Sequence, residues 1–341
     1  MPLPDRLVDI EHLEDVMTTP TEALIDDLAT VDGDIVVLGV GGKMGPTLAR
    51  MAKRAAPGKR IIGVARFSES GVREGLDAVG VETIACDLLD PVAVASLPSV
   101  ENVVFMAGRK FGTSGREDLT WAMNTHVPTI VAQAYATSRI VAFSTGCVYP
   151  YWPIDADGPN ETVAPVAPPG EYANSCVGRE RMFEYFSNVH GTPGRIIRLN
   201  YAIDCRYGVL RDVADKVWRG EEIDLTMGHV NVIWQGDANA MALRALRHCT
   251  TPTSPLNITG PGVVSIRSLA EAFGDRFERP PVLTGSEASH AWLNDAGAAL
   301  ELFGPPEVGL ETMVDWVAAW VADGGPSLDK PTHYEQRDGS Y

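Results

Sequence analysis

Short continuous apolar runs alternate with amphipathic stretches between Asp34 and Leu199, and this rhythm sets the first expectation. Continuous apolar runs suit strands buried on both faces, whereas apolar positions three or four apart suit helices packed over them. Strands are predicted at residues 34–39, 61–66, 82–86, 102–107, 139–144 and 195–199, with helices between them. The alternation implies an α/β fold, a doubly wound parallel sheet with helices on both faces. Beyond Asn200 the pattern is less regular and richer in Pro and Gly, although helical periodicity returns at 266–273 and 310–321. The expected organisation is an N-terminal helical extension (1–30), a sheet domain (31–199), a smaller, partly interleaved C-terminal substrate lobe (200–329) and a polar tail (330–341). Thr19-Pro20-Thr21-Glu22 reads as an N-cap, a first-turn proline and a capping-box glutamate, which places a short helix in the extension, packed against the sheet edge. The tail reads as a disordered end or a subunit contact.

Charge narrows the choice of partners. With 28 basic and 45 acidic side chains the formal net charge is -17, a field that repels phosphate backbones and anionic membranes, so neither nucleic acid nor membrane is an expected partner. Residues 1–9 carry no basic segment followed by an apolar one, and a cytoplasmic location is expected. The cysteines, Cys86, Cys147, Cys176, Cys205 and Cys249, are scattered without a CxxC pair, which argues against disulfides or structural zinc. No metal is implied.

The first strand runs into Gly39-Val40-Gly41-Gly42-Lys43-Met44-Gly45, followed by a helix at 46–54. Glycines fit where a tight turn, a close approach to pyrophosphate and helix–strand packing exclude a Cβ, and the helix N-terminus faces the phosphates. This is a Rossmann-type dinucleotide site, with Gly39, Gly42, Lys43, Met44 and Gly45 as its loop residues. An acid at the end of the second strand would hydrogen-bond free ribose hydroxyls, whereas a base pairs with a 2′-phosphate. The residue there is Arg66, which favours NADP while leaving NAD possible.

Further motifs carry a family resemblance. The spacing Gly39-x-x-Gly42-x-x-Gly45, the strand Asn102-Val103-Val104-Phe105-Met106-Ala107-Gly108, the segment Phe143-Ser144-Thr145-Gly146-Cys147-Val148-Tyr149 and Tyr172-Ala173-Asn174-Ser175-Cys176 together resemble extended short-chain dehydrogenase/reductases of the NAD-dependent epimerase/dehydratase kind. The resemblance runs from Asp34 to about Gly324. It implies that Cys86-Asp87-Leu88-Leu89-Asp90 meets the adenine, with a helix N-cap as the equally physical alternative for its acid. Asp87, Leu88, Ala107 and Gly108 then join the cofactor-binding set, and Lys110 stands where UDP-galactose 4-epimerases place a lysine near the cofactor. Thr145 becomes the hydroxyl that holds the substrate oxygen and Tyr172 the proton donor. The lysine of the family's YxxxK is replaced by Cys176. That lysine would hold the ribose and stabilise the tyrosinate, so its loss weakens an oxidative step more than a reductive one.

Possible substitutes are Lys110, read first as a phosphate contact or solvated, and Arg179, seven residues after Tyr172, read as a solvated side chain; Cys147 and Cys176 read as small buried side chains. The segment 228–237 lacks the arginine that clamps a nucleotide diphosphate in relatives, which favours a smaller substrate of carbohydrate metabolism: a sugar, a sugar acid or a polyol. Arg198, Asn200 and Arg206 are its possible contacts. The resemblance also implies a homodimer through helices 116–135 and 172–188. Two functions follow. One is an NAD(P)-dependent oxidoreductase or epimerase acting on a small hydroxylated carbonyl compound. The other is a dinucleotide-binding sensor or regulatory protein that has lost turnover.

Overall fold

A computed structural model describes residues 3–110, 112 and 115–337. Seven strands form one parallel sheet: β1 (Ile35–Leu38), β2 (Ile61–Ala65), β3 (Glu82–Ala85), β4 (Asn102–Phe105), β5 (Arg139–Thr145), β6 (Gly194–Leu199) and β7 (Ser254–Ile258), in the order β7-β6-β5-β4-β1-β2-β3. The predicted doubly wound sheet is present. Order reverses at β1, which pairs with β2 on one side and β4 on the other, so their carboxyl ends diverge and open a crevice.

The first helices are α1 (Ile10–Thr18), α2 (Glu22–Thr30), α3 (Gly45–Ala55), α4 (Val72–Ala78), α5 (Pro91–Ala95), α6 (Glu117–Trp121) and α7 (Val127–Ala134), the last two joined by a π turn at Ala122–His126. They are followed by α8 (Glu171–His190), α9 (Val209–Arg219), α10 (Gln235–Arg244), α11 (Ile266–Phe277), α12 (Gly297–Phe303) and α13 (Leu310–Ala322). One apolar layer joins β1 and β2 residues such as Val37 and Ile61 to Leu48 and Met51 of α3 and Leu243 of α10; a second joins Phe105 and Val103 to Val131 and Phe183. A separate core gathers Val213 of α9, Phe273 of α11 and Trp316 of α13. The segment after Asn200 supplies most of this second core, but it also returns α10 and β7 to the main sheet.

The extension differs from expectation in two respects. Thr21, not Thr19, caps α2, its hydroxyl accepting from Leu24 N at 3.2 Å. Thr19 already belongs to α1, as its hydroxyl donates to Asp15 O at 2.8 Å, and Pro20 lies between the two helices. Nor does α2 sit at a sheet edge. Leu24 and Leu28 pack in the layer of α3 and α10, and Asp27 is held by Arg244 and Arg247 at 2.6 Å each. Leu13 and Met17 of α1 join the core of the smaller lobe.

The tail is likewise ordered by contacts within the chain. Tyr334 is 1% exposed in the smaller lobe's core, where burying its ring offsets the cost of fixing the segment. Thr332 donates its N–H and hydroxyl to Asp212 Oδ2 at 2.8 and 2.6 Å, and Tyr151 donates to Arg337 O at 2.7 Å. Residues 338–341 of the predicted tail, and 1–2 of the extension, lie outside the described residues. No helix among the described residues is long and apolar enough to cross a membrane.

A candidate dinucleotide and catalytic site

The crevice at the sheet's switch point is a continuous cleft in two parts, of about 200 and 260 Å³, that share Gly39, Gly42 and Met106. The loop after β1 floors both. Gly39 has φ +89°, and a Cβ there would lie 2.6 Å from Ala107 N; a Cβ on Gly45 would lie 2.2 Å from Val40 O. These two positions exclude a side chain because backbone already fills the space. The first turn of α3 has no side-chain cap, so its N–H groups face the cleft without a protein acceptor from the cap residue. The cradle therefore fits a dinucleotide's pyrophosphate.

Arg66, Ser68, Asp87, Leu88, Ala107 and Gly108 line the first part, together with Phe67 and Glu69, which sequence reasoning did not single out. Asp87 Oδ1 accepts from Leu89 N at 3.0 Å, while Asp90 caps α5. Asp87 thus borders the cleft, whereas Asp90 is the helix cap.

Lys43, Met44, Lys110, Thr145, Cys147, Tyr172, Asn200, Tyr207 and Thr332 line the second part, where Lys43 and Lys110 are its charged residues. Thr145 ends β5 and caps a short turn, accepting from Cys147 N at 3.2 Å. Tyr172 stands in the first turn of α8, and its hydroxyl is hydrogen-bonded to the Thr145 and Cys176 side chains. Residues four apart share a helical face, so Cys176 stands on the face of α8 that carries Tyr172. Cys176 is 0% exposed, and burial pushes its thiol up to about 11, so it carries no charge near neutrality. Burial likewise raises Tyr172 well above the ordinary tyrosine value, opposed by Arg179. The reading of Cys176 as a small buried side chain agrees with this environment. Cys147 is half-buried.

Burial lowers Lys43 to about 8; its ammonium donates to Ala202 O at 3.3 Å and lies 4.3 Å from the Tyr207 ring centre. Burial also lowers Lys110, whose ammonium donates to Thr332 O at 3.3 Å. The docked tail thus helps to build the pocket, a contribution that the polar composition of residues 330–341 concealed.

The proposed arginine contacts are placed differently. Arg198 is buried against Glu180 at 2.7 Å and donates to Tyr149 Oη at 2.6 Å. Arg206 does not line the Tyr172 part of the cleft; it pairs with Glu14 at 3.0 Å and Asp204 at 3.3 Å and borders an outer groove beside Arg50. Nearby acids explain both placements, since a buried or partly buried guanidinium takes a carboxylate when one is in reach. Asn200 does line the pocket. Arg179, expected in solvent, is buried. Asn124 on the π turn was missed altogether; its amide donates to Arg109 O and Ser175 Oγ at 2.9 Å each, tying the β4 loop to α8. A lone Asn in a helical stretch carries no sequence signal for such a bridge. No cluster of His, Cys, Asp and Glu suited to a metal occurs among the described residues.

A model of the NAD dependent epimerase/dehydratase family matches residues 35–203. No curated protein matches the chain. Similar solved structures include a UDP-glucuronic acid 4-epimerase from Bacillus cereus in complex with NAD, at 15% identity and TM-score 0.72, covering 85% of this chain and 98% of that one. A UDP-glucose 4-epimerase from Thermotoga maritima with UDP-glucose gives 18% identity and TM-score 0.70, over 85% of this chain and 99% of that one. A UDP-glucose 4-epimerase from Thermus thermophilus, in complex with NAD, gives 17% identity and TM-score 0.69, over 84% and 98%. At these identities the likeness shows the fold. Residues 35–203, which hold the glycine cradle and strands β1 to β6 of the sheet, match the NAD dependent epimerase/dehydratase family.

Proposed function

We propose that this chain is a nicotinamide-dinucleotide-dependent oxidoreductase or epimerase acting on a small hydroxylated carbonyl compound. The observation that carries the reading is the hydrogen-bonded pair Tyr172–Thr145 facing the glycine cradle across one cleft. When bound, the cofactor supplies or accepts the hydride at the substrate carbon. Tyr172, neutral in its buried setting, gives its proton to the carbonyl oxygen as reduction proceeds, and Thr145 holds that oxygen by a second hydrogen bond. In the reverse direction the same tyrosine oxygen must take a proton back. Lys43 and Lys110 make the wall cationic, which suits cofactor phosphates and a substrate such as a sugar acid. The solved relatives named above are UDP-sugar enzymes, whereas the stretch 228–237 here contains no arginine to clamp a diphosphate, which supports a smaller substrate. The reading is tested by following cofactor absorbance with panels of sugars, sugar acids and polyols. Turnover supports it; cofactor binding without turnover on any of them favours the sensor reading.

NADP is the proposed cofactor, because Arg66 borders the cleft at the end of β2, although two of the solved relatives are described with NAD. Arg66→Asp is expected to weaken NADP binding by about 10- to 100-fold, the worth of one charge-assisted pair, and to shift preference towards NAD. Calorimetric titration of both cofactors checks this, and an unchanged ratio would remove Arg66 from the phosphate site.

Lys43 supplies a pH dependence. A lysine lowered to about 8 is charged below that pH and neutral above it. Cofactor affinity should therefore stay level below pH 8 and fall above it, by up to about tenfold per pH unit. Lys43→Met should bind more weakly with a flat profile; a wild-type affinity that rises above pH 8 would contradict this role.

A further inference from the structure

Arg179 is a buried cation that no carboxylate pairs with among the described residues. It is 6% exposed, and its guanidinium donates to Phe143 O at 2.8 Å, to Asn124 Oδ1 at 2.7 Å and to Asn124 O at 3.5 Å, all neutral acceptors. Arg198, buried nearby, instead faces the Glu180 carboxylate. A charge held in the interior by neutral oxygens is costly, and its field is strong there because little water screens it. Such a field is favourable to a neighbour that turns anionic.

The geometry identifies that neighbour. Seven residues advance a helix by two turns, to within about 20° of the starting face, and helical side chains lean towards the N-terminus. Arg179 therefore reaches back along the α8 face that carries Tyr172 and Cys176. It ends beneath the cleft, since a Cβ on Gly108, a cleft-lining residue, would lie 2.4 Å from Arg179 Nη2. Asn124 grips the guanidinium from the π turn. Lys110 also borders the pocket, but an ammonium that burial inclines to lose its proton is a conditional charge, whereas a guanidinium remains charged.

We propose that Arg179 is a positioning residue that supplies to Tyr172, from deeper along α8, the positive charge that a lysine at position 176 would bring. The inference rests on the reading of Tyr172 as the group that exchanges the proton. Burial raises Tyr172 and Arg179 opposes that rise, in keeping with this role.

The test is a double-mutant cycle on the full chain, with Arg179→Met, Cys176→Lys and the pair, read by melting temperature. In the presence of Arg179 a new ammonium at 176 meets a like charge, so Cys176→Lys should lower the melting temperature more in wild type than in the Arg179→Met background. Arg179→Gln, which keeps a donor without the charge, serves the same cycle if Arg179→Met does not fold. Equal cost of Cys176→Lys in charged and neutral backgrounds overturns the inference. On a substrate found by the panel, Arg179→Gln should move the alkaline limb of the oxidative pH–rate profile up by about one unit or more, and Cys176→Lys in that background should bring it back. A limb that stays in place also overturns the inference, because a purely structural arginine would leave it there. Melting needs no substrate, so a coupled cycle in a protein without turnover would sink the catalytic reading while leaving the placement of the charge intact.

Discussion

Tyr172→Phe is expected to lower turnover by about 100- to 10,000-fold while leaving cofactor affinity within a few-fold of wild type, the loss usual when a general acid is removed. Thr145→Ala should follow the same pattern with a smaller loss. The physical ground is their placement: both hydroxyls meet each other at the carboxyl end of β5 and the start of α8, and Tyr172 lines only the part of the cleft beyond the adenine-side residues Arg66 and Asp87. Burial keeps Tyr172 protonated, so the reductive direction should be level through neutral pH, and the oxidative direction should rise as the solution becomes more alkaline. Steady-state rates and calorimetry on each variant decide the matter. Full activity in Tyr172→Phe would move proton transfer to another group.

A comparably large effect on stability is expected at Glu180. Its carboxylate accepts from Arg198 Nη2 at 2.7 Å and from Ser144 Oγ at 2.6 Å, and Arg198 in turn donates to Tyr149 Oη at 2.6 Å. Both charges are almost wholly buried. Glu180→Leu strands a buried guanidinium and should cost about 3–5 kcal/mol, whereas Glu180→Leu/Arg198→Met, which removes both charges, should cost less than Glu180→Leu or Arg198→Met alone. Denaturant unfolding measures all four proteins. A double variant less stable than both singles would show that the pair does more than satisfy itself.

Much of this architecture is legible in the sequence because β1, β2 and β4 are buried on both faces and so read as short, nearly continuous apolar runs, whereas β3 at the sheet edge is partly exposed. Strand β7 escaped notice because Ser254-Pro255-Leu256-Asn257-Ile258 is polar and contains a proline, tolerated at a sheet edge where one side needs no ladder partner. Local chemistry misled at Thr19, whose hydroxyl serves the helix before it rather than the one after. The placement of the glycine loop, Thr145 and Tyr172 around one cleft was legible because it depends on spacing within one turn or one strand end. Arg179, Asn124 and Thr332 were not, because each acts through a tertiary neighbour: a helix crossing at the π turn, or a tail whose Tyr334 anchors it in a distant core. Burial of an arginine against carbonyl oxygens leaves no trace in charge patterning, where it reads as one more solvated residue.

The cradle between β1 and α3 is expected to hold a nicotinamide dinucleotide. Calorimetric titration of the unmodified protein with NADH and with NADPH, paired with melting curves in their presence, tests it most directly. Saturable binding of one cofactor per chain and a raised melting temperature are expected, with NADPH the tighter of the two. A cooperatively folded protein that shows neither heat nor a shifted melt with either cofactor would contradict it.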